Sequence, residues 1–263
     1  MAFGDDEIIS VPFRVVVLAV AGLPASALVL CIACALLIHF QQATSTHCGV
    51  QNWLPSLSAA VASFSPEKHI WRVLVGAHCG PRFFISLAFR NYLLSSPLKP
   101  LSKRRVFPFL CNVACALTLM EITSLLLLTS ISSTDSLAAH AICFGTFGVT
   151  ALLFMILSTY LFNYSGRRRA FSSDIGERSF EWKCLSCSSC LLCSVLAGYF
   201  FYRHNAFCEP NIYTFFALAE YGIIVSNIIF HSTLHWDFHG KMLMIGSSFG
   251  GYQLLPTHAN KNT

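Results

Sequence analysis

Arginine, glutamate, histidine and asparagine side chains stand inside long apolar stretches of this 263-residue chain, and these are the residues that could do chemistry. One stretch carries Arg72, His78, Arg82 and Arg90, a second Asn112 and Glu121, and a third Glu220, Asn227, His231 and His235. A charge near the centre of a bilayer costs at least about 2.5 to 3.5 kcal/mol on insertion scales, so each needs a partner or a function. His78 and Arg82 are i, i+4 neighbours on a helix. Glu220, Asn227, His231 and His235 span only about 80° of a helix circumference, which makes one polar stripe. Guanidinium groups bind phosphate or carboxylate, and carboxylates and imidazoles move protons. Two readings stay open. In one, Arg82 pairs with Glu121 or Glu220 as interhelical glue. In the other, a polar cavity accepts a lipid headgroup. Arg82, with Arg72, Asn227 and His231, then faces phosphate, and His78, Glu121 and Glu220 handle protons.

Other spacings are weaker. His204 and Glu209 form H-x4-E, which resembles the H-x4-D of glycerolipid acyltransferases, where a base activates a hydroxyl. It departs in the acid, although His204 remains a candidate base. His231, His235 and His239 are spaced like one histidine box of membrane di-iron enzymes, but no His-His pair accompanies them. Cys184, Cys187, Cys190 and Cys193 lie along one side of a helix and cannot converge on one ion, so they read as small packing residues. There is no H-E-x-x-H and no P-loop. These patterns call for no metal and no cofactor.

The elements that must position these residues are membrane helices. Only 11% of residues are charged and 55% are hydrophobic, with a mean hydropathy of +0.61, against about 25% charged in soluble domains. Six apolar runs are long enough to cross a bilayer: Val15–Phe40, Ile70–Leu94, Phe107–Ser130, His140–Tyr164, Cys184–Tyr202 and Ile212–Trp236. The first reads as a retained span rather than a signal peptide, because Asp5, Asp6 and Glu7 precede it and its apolar run is long. The fold class is an all-α membrane protein, a bundle of six transmembrane helices. Residues 1–245 form one transmembrane domain and 246–263 a tail.

Charge distribution orients the bundle. Residues 95–106 and 165–183 hold nine Lys or Arg, among them Lys99, Lys103, Arg104, Arg105, Arg167, Arg168, Arg169, Arg178 and Lys183, whereas residues 41–69, 131–139 and 203–211 hold only Lys68 and Arg203. By the positive-inside rule the basic loops and both termini are cytosolic. The basic clusters therefore report topology, and no nucleic-acid-binding motif accompanies them. The longest remaining loop, 41–69, leaves no room for a soluble catalytic domain. Measured from the lumenal ends, His78 and Glu220 lie about 12 Å deep, Glu121 about 15 Å and Arg82 about 18 Å, one layer beneath the lumenal surface. Cys48 and Cys208 are the only cysteines in lumenal loops, so an oxidising compartment favours their pairing; geometry decides it.

Several motifs carry a family resemblance. They include Thr46-His47-Cys48-Gly49-Val50, Leu54-Pro55-Ser56, Trp71-Arg72, His78, Pro81-Arg82-Phe83, Glu121, Trp182-Lys183, Tyr202-Arg203-His204-Asn205, Cys208-Glu209, Glu220-Tyr221, Asn227, Phe230-His231 and Trp236-Asp237-Phe238. From about residue 11 to 245 the chain resembles the six-span family that includes post-GPI-attachment-to-proteins factor 2, DRAM-type proteins and the N-terminal part of a yeast cell-wall and ceramide-remodelling protein. The resemblance implies a multi-pass protein of Golgi and endoplasmic reticulum membranes that acts in GPI-anchor lipid remodelling. It implies reacylation of lyso-GPI with a saturated fatty acid, and stable surface expression and transport of GPI-anchored proteins. Its partners would be those proteins, lyso-GPI, an acyl-donor lipid and the membrane, with no nucleic acid. Whether the chain is the acyltransferase or a non-enzymatic scaffold or transport factor stays open.

Overall fold

A computed structural model describes residues 7–96, 105–170 and 173–246. Lys99, Lys103 and Arg104, and the tail beyond Gly246, lie outside the described residues. The chain is built from long helices: α1 (Phe13–Ile38), a short α2 (Phe40–Thr44), α3 (Leu57–Ala62), α4 (Glu67–Leu94), α5 (Val106–Ser130), α6 (Leu137–Tyr164), a 3-10 turn at Arg167–Arg169, α7 (Ser173–Phe207), α8 (Ile212–Ser232) and a short α9 (Leu234–Asp237). Strands β1 (Glu7–Pro12) and β2 (Met242–Gly246) pair antiparallel, with Ser10 opposite Met244. This ribbon ties the segment before α1 to the segment after α9.

Five helices, at Phe13–Ile38, Val106–Ser130, Leu137–Tyr164, Asp174–Phe207 and Ile212–Asp237, are long and apolar enough to cross a membrane. The chain is thus an all-α, multi-pass membrane protein. Its outward faces are apolar, as a lipid surface requires: Leu37 is 85% exposed and Ile142 69%. α4 has ample length at 28 residues, but Arg72, Arg82 and Arg90 lower its apolarity.

Local sequence explains several helix ends. Ser56 caps α3 by accepting the Ala59 N–H at 3.1 Å, and Ser136 caps α6 through Ala139 at 3.4 Å. The loop 41–69 folds back on the start of α8. The Asn211 N–H donates to the Gln51 carbonyl at 2.9 Å, the Trp53 N–H to Thr214 Oγ1 at 2.9 Å and the Tyr213 hydroxyl to Ser56 Oγ at 2.8 Å. Cys48 and Cys208 are joined as a disulfide with Cα atoms 5.3 Å apart, which links the same two regions covalently.

α7 and α8 pack closely through small residues. A Cβ added at Gly222 would come within 2.5 Å of Cys193 Sγ, and Ser226 hydrogen-bonds Ser189 at 2.9 Å. The cysteine run includes Cys190, buried in the core, and Cys193, seated against Gly222.

The structure corrects one reading of the basic residues. α7 has 35 residues, about 52 Å at 1.5 Å per residue, so much of the expected basic loop 165–183 is its first turns. Lys183 is fully buried there rather than exposed as a topology signal. Its ammonium donates to Asp237 Oδ2 at 2.8 Å, Ser179 Oγ at 2.6 Å and Thr233 Oγ1 at 2.8 Å, and lies 4.5 Å from the centre of the Phe162 ring. Asp237 reaches it because the chain passes through Thr233 into α9, whose neighbour Phe238 anchors on Phe13 with ring centres 4.3 Å apart. Three donor–acceptor contacts and a full opposite charge offset the desolvation of the ammonium.

Candidate functional site

α4 and α5 bring Arg82 and Glu121 together. Arg82 Nη2 donates to Glu121 Oε1 at 2.8 Å, with the carboxylate fully buried. Two residues of α8 complete the cluster. Asn227 Nδ2 donates to the same oxygen at 3.0 Å, and His231 Nε2 lies 3.0 Å from it and 2.5 Å from Arg82 Nη2. One imidazole nitrogen cannot accept from Arg82 and donate to Glu121 at once, so a single proton on His231 chooses between the two contacts. The ring is held flat against Phe154, with centres 5.4 Å apart and planes within 6°. His78 Nε2 lies 3.4 Å from Arg82 Nη1, one helical turn away. Glu121 Oε2 and His78 Nδ1 have no hydrogen-bond partner among the described residues.

These groups border a cavity of about 100 Å³ walled by α1, α3, α4, α5, α6, α8 and the first residue of α9. His78, Arg82, Glu220, Asn227 and His231 line it, and Glu121 is bound to three of them. The remaining wall is mostly apolar, with Val20, Ile85, Phe89, Leu125 and Phe154 among its residues. A site with one charged, hydrogen-bonded flank and long apolar walls suits an amphipathic ligand. Of the residues read from sequence, six converge here from three helices.

Glu220 shares the cavity but not the ion pair. Its Oε2 accepts the Leu57 N–H at 2.9 Å and the carboxylate also hydrogen-bonds Ser58, so it satisfies donors in the first turn of α3 and fixes that segment over the cavity. Arg82 therefore selects Glu121 as its carboxylate.

Arg72 lies outside the cavity lining. It stands six residues before His78, about 120° around the helix. Its Nη2 donates to the Ser130 carbonyl at 3.3 Å and lies 3.9 Å from Asp135. Asp135, in the turn after α5, has its carboxyl held below the usual range, first by the Ser132 hydroxyl and then by the Ser132 backbone N–H. Arg72 thus links helix ends, outside the cavity lining.

His204 is also outside the lining. No described residue of α7 lines the cavity, because α7 packs on Gly222 and Ser226, which lie roughly opposite the polar stripe on α8. His204 is buried beside the disulfide, 5.5 Å from the His47 ring and 5.0 Å from the Tyr213 ring. Glu209 pairs with Arg203 instead, so the H-x4-E spacing does not assemble a base with its acid. His47, Cys48 and Cys208 approach one another closely enough for a metal. The disulfide uses both thiolates, which removes the sulfur ligands a metal would need. The polar stripe of α8 ends at His231: His235 falls in α9, where Nδ1 bonds the Ser232 carbonyl at 2.6 Å.

Two cavity residues escaped the sequence reading. Ser58, in α3, and His140, at the start of α6, both line the wall, with Ser58 Oγ 3.1 Å from His140 Nε2. A part-buried pair, Glu67 with His39 Nδ1 at 2.7 Å, joins α4 to the segment after α1.

Comparison with known proteins places the whole chain. A family model described as the Frag1/DRAM/Sfk1/Cwh43P N-terminal domain matches residues 12–241. The chain is similar to post-GPI attachment to proteins factor 2 of Caenorhabditis briggsae, at 55% identity over 265 residues and the full length of both. It is similar to the protein of that name in Caenorhabditis elegans at 54% over 265 residues, again full length. With a Xenopus tropicalis protein named acyltransferase PGAP2 it shares 35% identity over 245 residues, 93% of this chain and 94% of the other. No solved structure matches.

Proposed function

The chain belongs to the post-GPI attachment to proteins factor 2 family, within the Frag1/DRAM/Sfk1/Cwh43P group, and we propose from this that it is a GPI-anchor lipid-remodelling factor that reacylates lyso-GPI. The product carries a saturated chain, and the protein thereby supports stable surface expression and transport of GPI-anchored proteins. The observation that carries this reading is the cavity itself. It sets the Arg82–Glu121–His231 cluster beside apolar walls inside a membrane bundle. Lyso-GPI has a phosphate and a single acyl chain, and each finds a wall of matching chemistry. The unpartnered Glu121 Oε2 and His78 Nδ1 leave polar capacity for such a ligand. Arg82, with Asn227 and His231, faces the phosphate, and His78 is placed to exchange a proton.

The proposed topology is six spans with α4 as the second, and both termini cytosolic, in one domain over residues 1–245. The β1–β2 ribbon supports an even number of crossings, since it holds the two end segments together. Golgi and endoplasmic reticulum membranes are the proposed location, with lyso-GPI and an acyl-donor lipid as the small-molecule partners.

A non-enzymatic scaffold or transport factor is the second reading. It is favoured by the hydrogen bonds that Arg82, Asn227 and His231 already make to Glu121 Oε1, which need no ligand. Full-length protein reconstituted into liposomes with lyso-GPI and an acyl donor separates the two. Conversion of lyso-GPI by the protein alone supports the enzyme, and none at any protein concentration supports the scaffold.

A further inference from the structure

We infer that Ser58 and His140 form a nucleophile–base pair on the cavity wall, with Ser58 Oγ carrying the acyl group as a covalent ester between donor and acceptor. The inference rests on the acyltransferase reading above and adds the atom on which the chain is held.

The geometry fixes the proton. His140 Nδ1 lies 2.8 Å from the Ile131 carbonyl oxygen. A carbonyl only accepts, so Nδ1 carries the hydrogen, and in the neutral ring Nε2 is the free acceptor. The Ser58 hydroxyl lies 3.1 Å from Nε2 and also hydrogen-bonds the Glu220 carboxylate, so its one proton reaches His140 when the hydroxyl turns from Glu220 to Nε2. This is the arrangement a hydroxyl nucleophile requires: a base within hydrogen-bond reach, oriented by a third group, here a backbone carbonyl. His140 is 8% exposed, and the ring is held at both nitrogens. Both residues line the cavity, so an acyl carbonyl bound there meets Ser58 while its chain follows the apolar wall along Val75, Ile85 and Phe89.

The steps balance with residues present. His140 Nε2 takes the Ser58 proton as Oγ attacks the acyl carbonyl of an ester or thioester donor. The bond from that carbonyl to the donor's oxygen or sulfur breaks, and the leaving group takes the proton from His140. The lyso-lipid hydroxyl then gives its proton to His140 and attacks the acyl-Ser58 carbonyl. Ser58 Oγ leaves and recovers the proton. The ester and thioester share one reactive carbonyl, and parallel assays with distearoyl phosphatidylcholine liposomes and with stearoyl-CoA distinguish them.

The test uses full-length protein and two separate readouts. An alkyl fluorophosphonate should label the peptide containing Ser58, S58A should abolish the label, and H140Q should slow it about 100-fold. S58C, which keeps a nucleophile, should form a thioester that neutral hydroxylamine cleaves. In the transfer assay, wild-type protein should show a stearoyl group on the Ser58 peptide, and S58A should lose reacylation. Absence of label on wild-type Ser58, or undiminished reacylation by S58A, overturns the nucleophile. Labelling of Ser58 without any conversion of lyso-GPI upholds the pair and instead sinks the lyso-GPI reading.

Discussion

Arg82 Nη2 and Glu121 Oε1 meet 2.8 Å apart between α4 and α5, with the arginine side chain 8% exposed and the glutamate not at all. Neither charge is tolerable alone at that position. Removing one partner of a buried pair typically destabilises by about 3 to 5 kcal/mol, whereas replacing both with apolar residues is often near neutral. R82M and E121L alone should therefore each lower the yield of monodisperse protein sharply, and R82M/E121L should recover it. If the double variant folds but fails to restore saturated GPI anchors in cells lacking the endogenous protein, the pair acts on the ligand as well as on the fold. Full restoration by the double variant would reduce it to interhelical glue.

Lys183 and Asp237 give the same signature at the other end of the bundle. K183M leaves the buried Asp237 carboxylate without its cation, so thermal unfolding in detergent should shift to markedly lower temperature. K183M/D237L should recover most of the loss, measured as a non-additive double-mutant cycle. Additive effects would show that the 2.8 Å pair is not coupled in the folded protein.

Glu220 should behave as a hydrogen-bond acceptor rather than as a charge. Its contact with the Leu57 N–H needs only an oxygen, so E220Q should keep α3 in place and E220A should free it. Hydrogen exchange over residues 50–62 reads the difference directly. Equal protection in E220A and wild type would contradict the assignment.

The Cys48–Cys208 disulfide closes a loop over a sequence separation of 160 residues. C48S and C208S should lower thermal stability by the same amount, by roughly 2 to 5 kcal/mol, and C48S/C208S should cost no more than either alone. Alkylation under denaturing, non-reducing conditions should leave both native cysteines unmodified. Modification of both in freshly prepared protein would contradict the bond.

Much of this site was legible because a polar residue in an apolar span is conspicuous. Arg82, Glu121, Asn227 and His231 announce themselves by the cost of burying them, and helical phase put Glu220, Asn227 and His231 on one stripe. Phase also contains the reason Arg72 stays out, since it points about 120° from His78. His204 could not be placed this way: its exclusion depends on α7 packing behind α8, a contact set by Gly222 and Cys193. Ser58 gave no signal because serine is ordinary in a loop, and its meaning comes from a histidine 82 positions away. Lys183 misled for a different reason. It sits among arginines in sequence, and only the extension of α7 carries it inward to Asp237, a carboxylate that sequence reading had no reason to pair with it.

The central claim is that a cavity flanked by Arg82, Glu121 and His231 takes lyso-GPI for reacylation. Its most direct measurement is mass spectrometry of GPI lipid after incubating wild-type, R82M/E121L and S58A proteins in liposomes with lyso-GPI and a stearoyl donor. The account predicts stearoylated product from wild type alone. Product from all three proteins at equal rates, or from none of them, would contradict it.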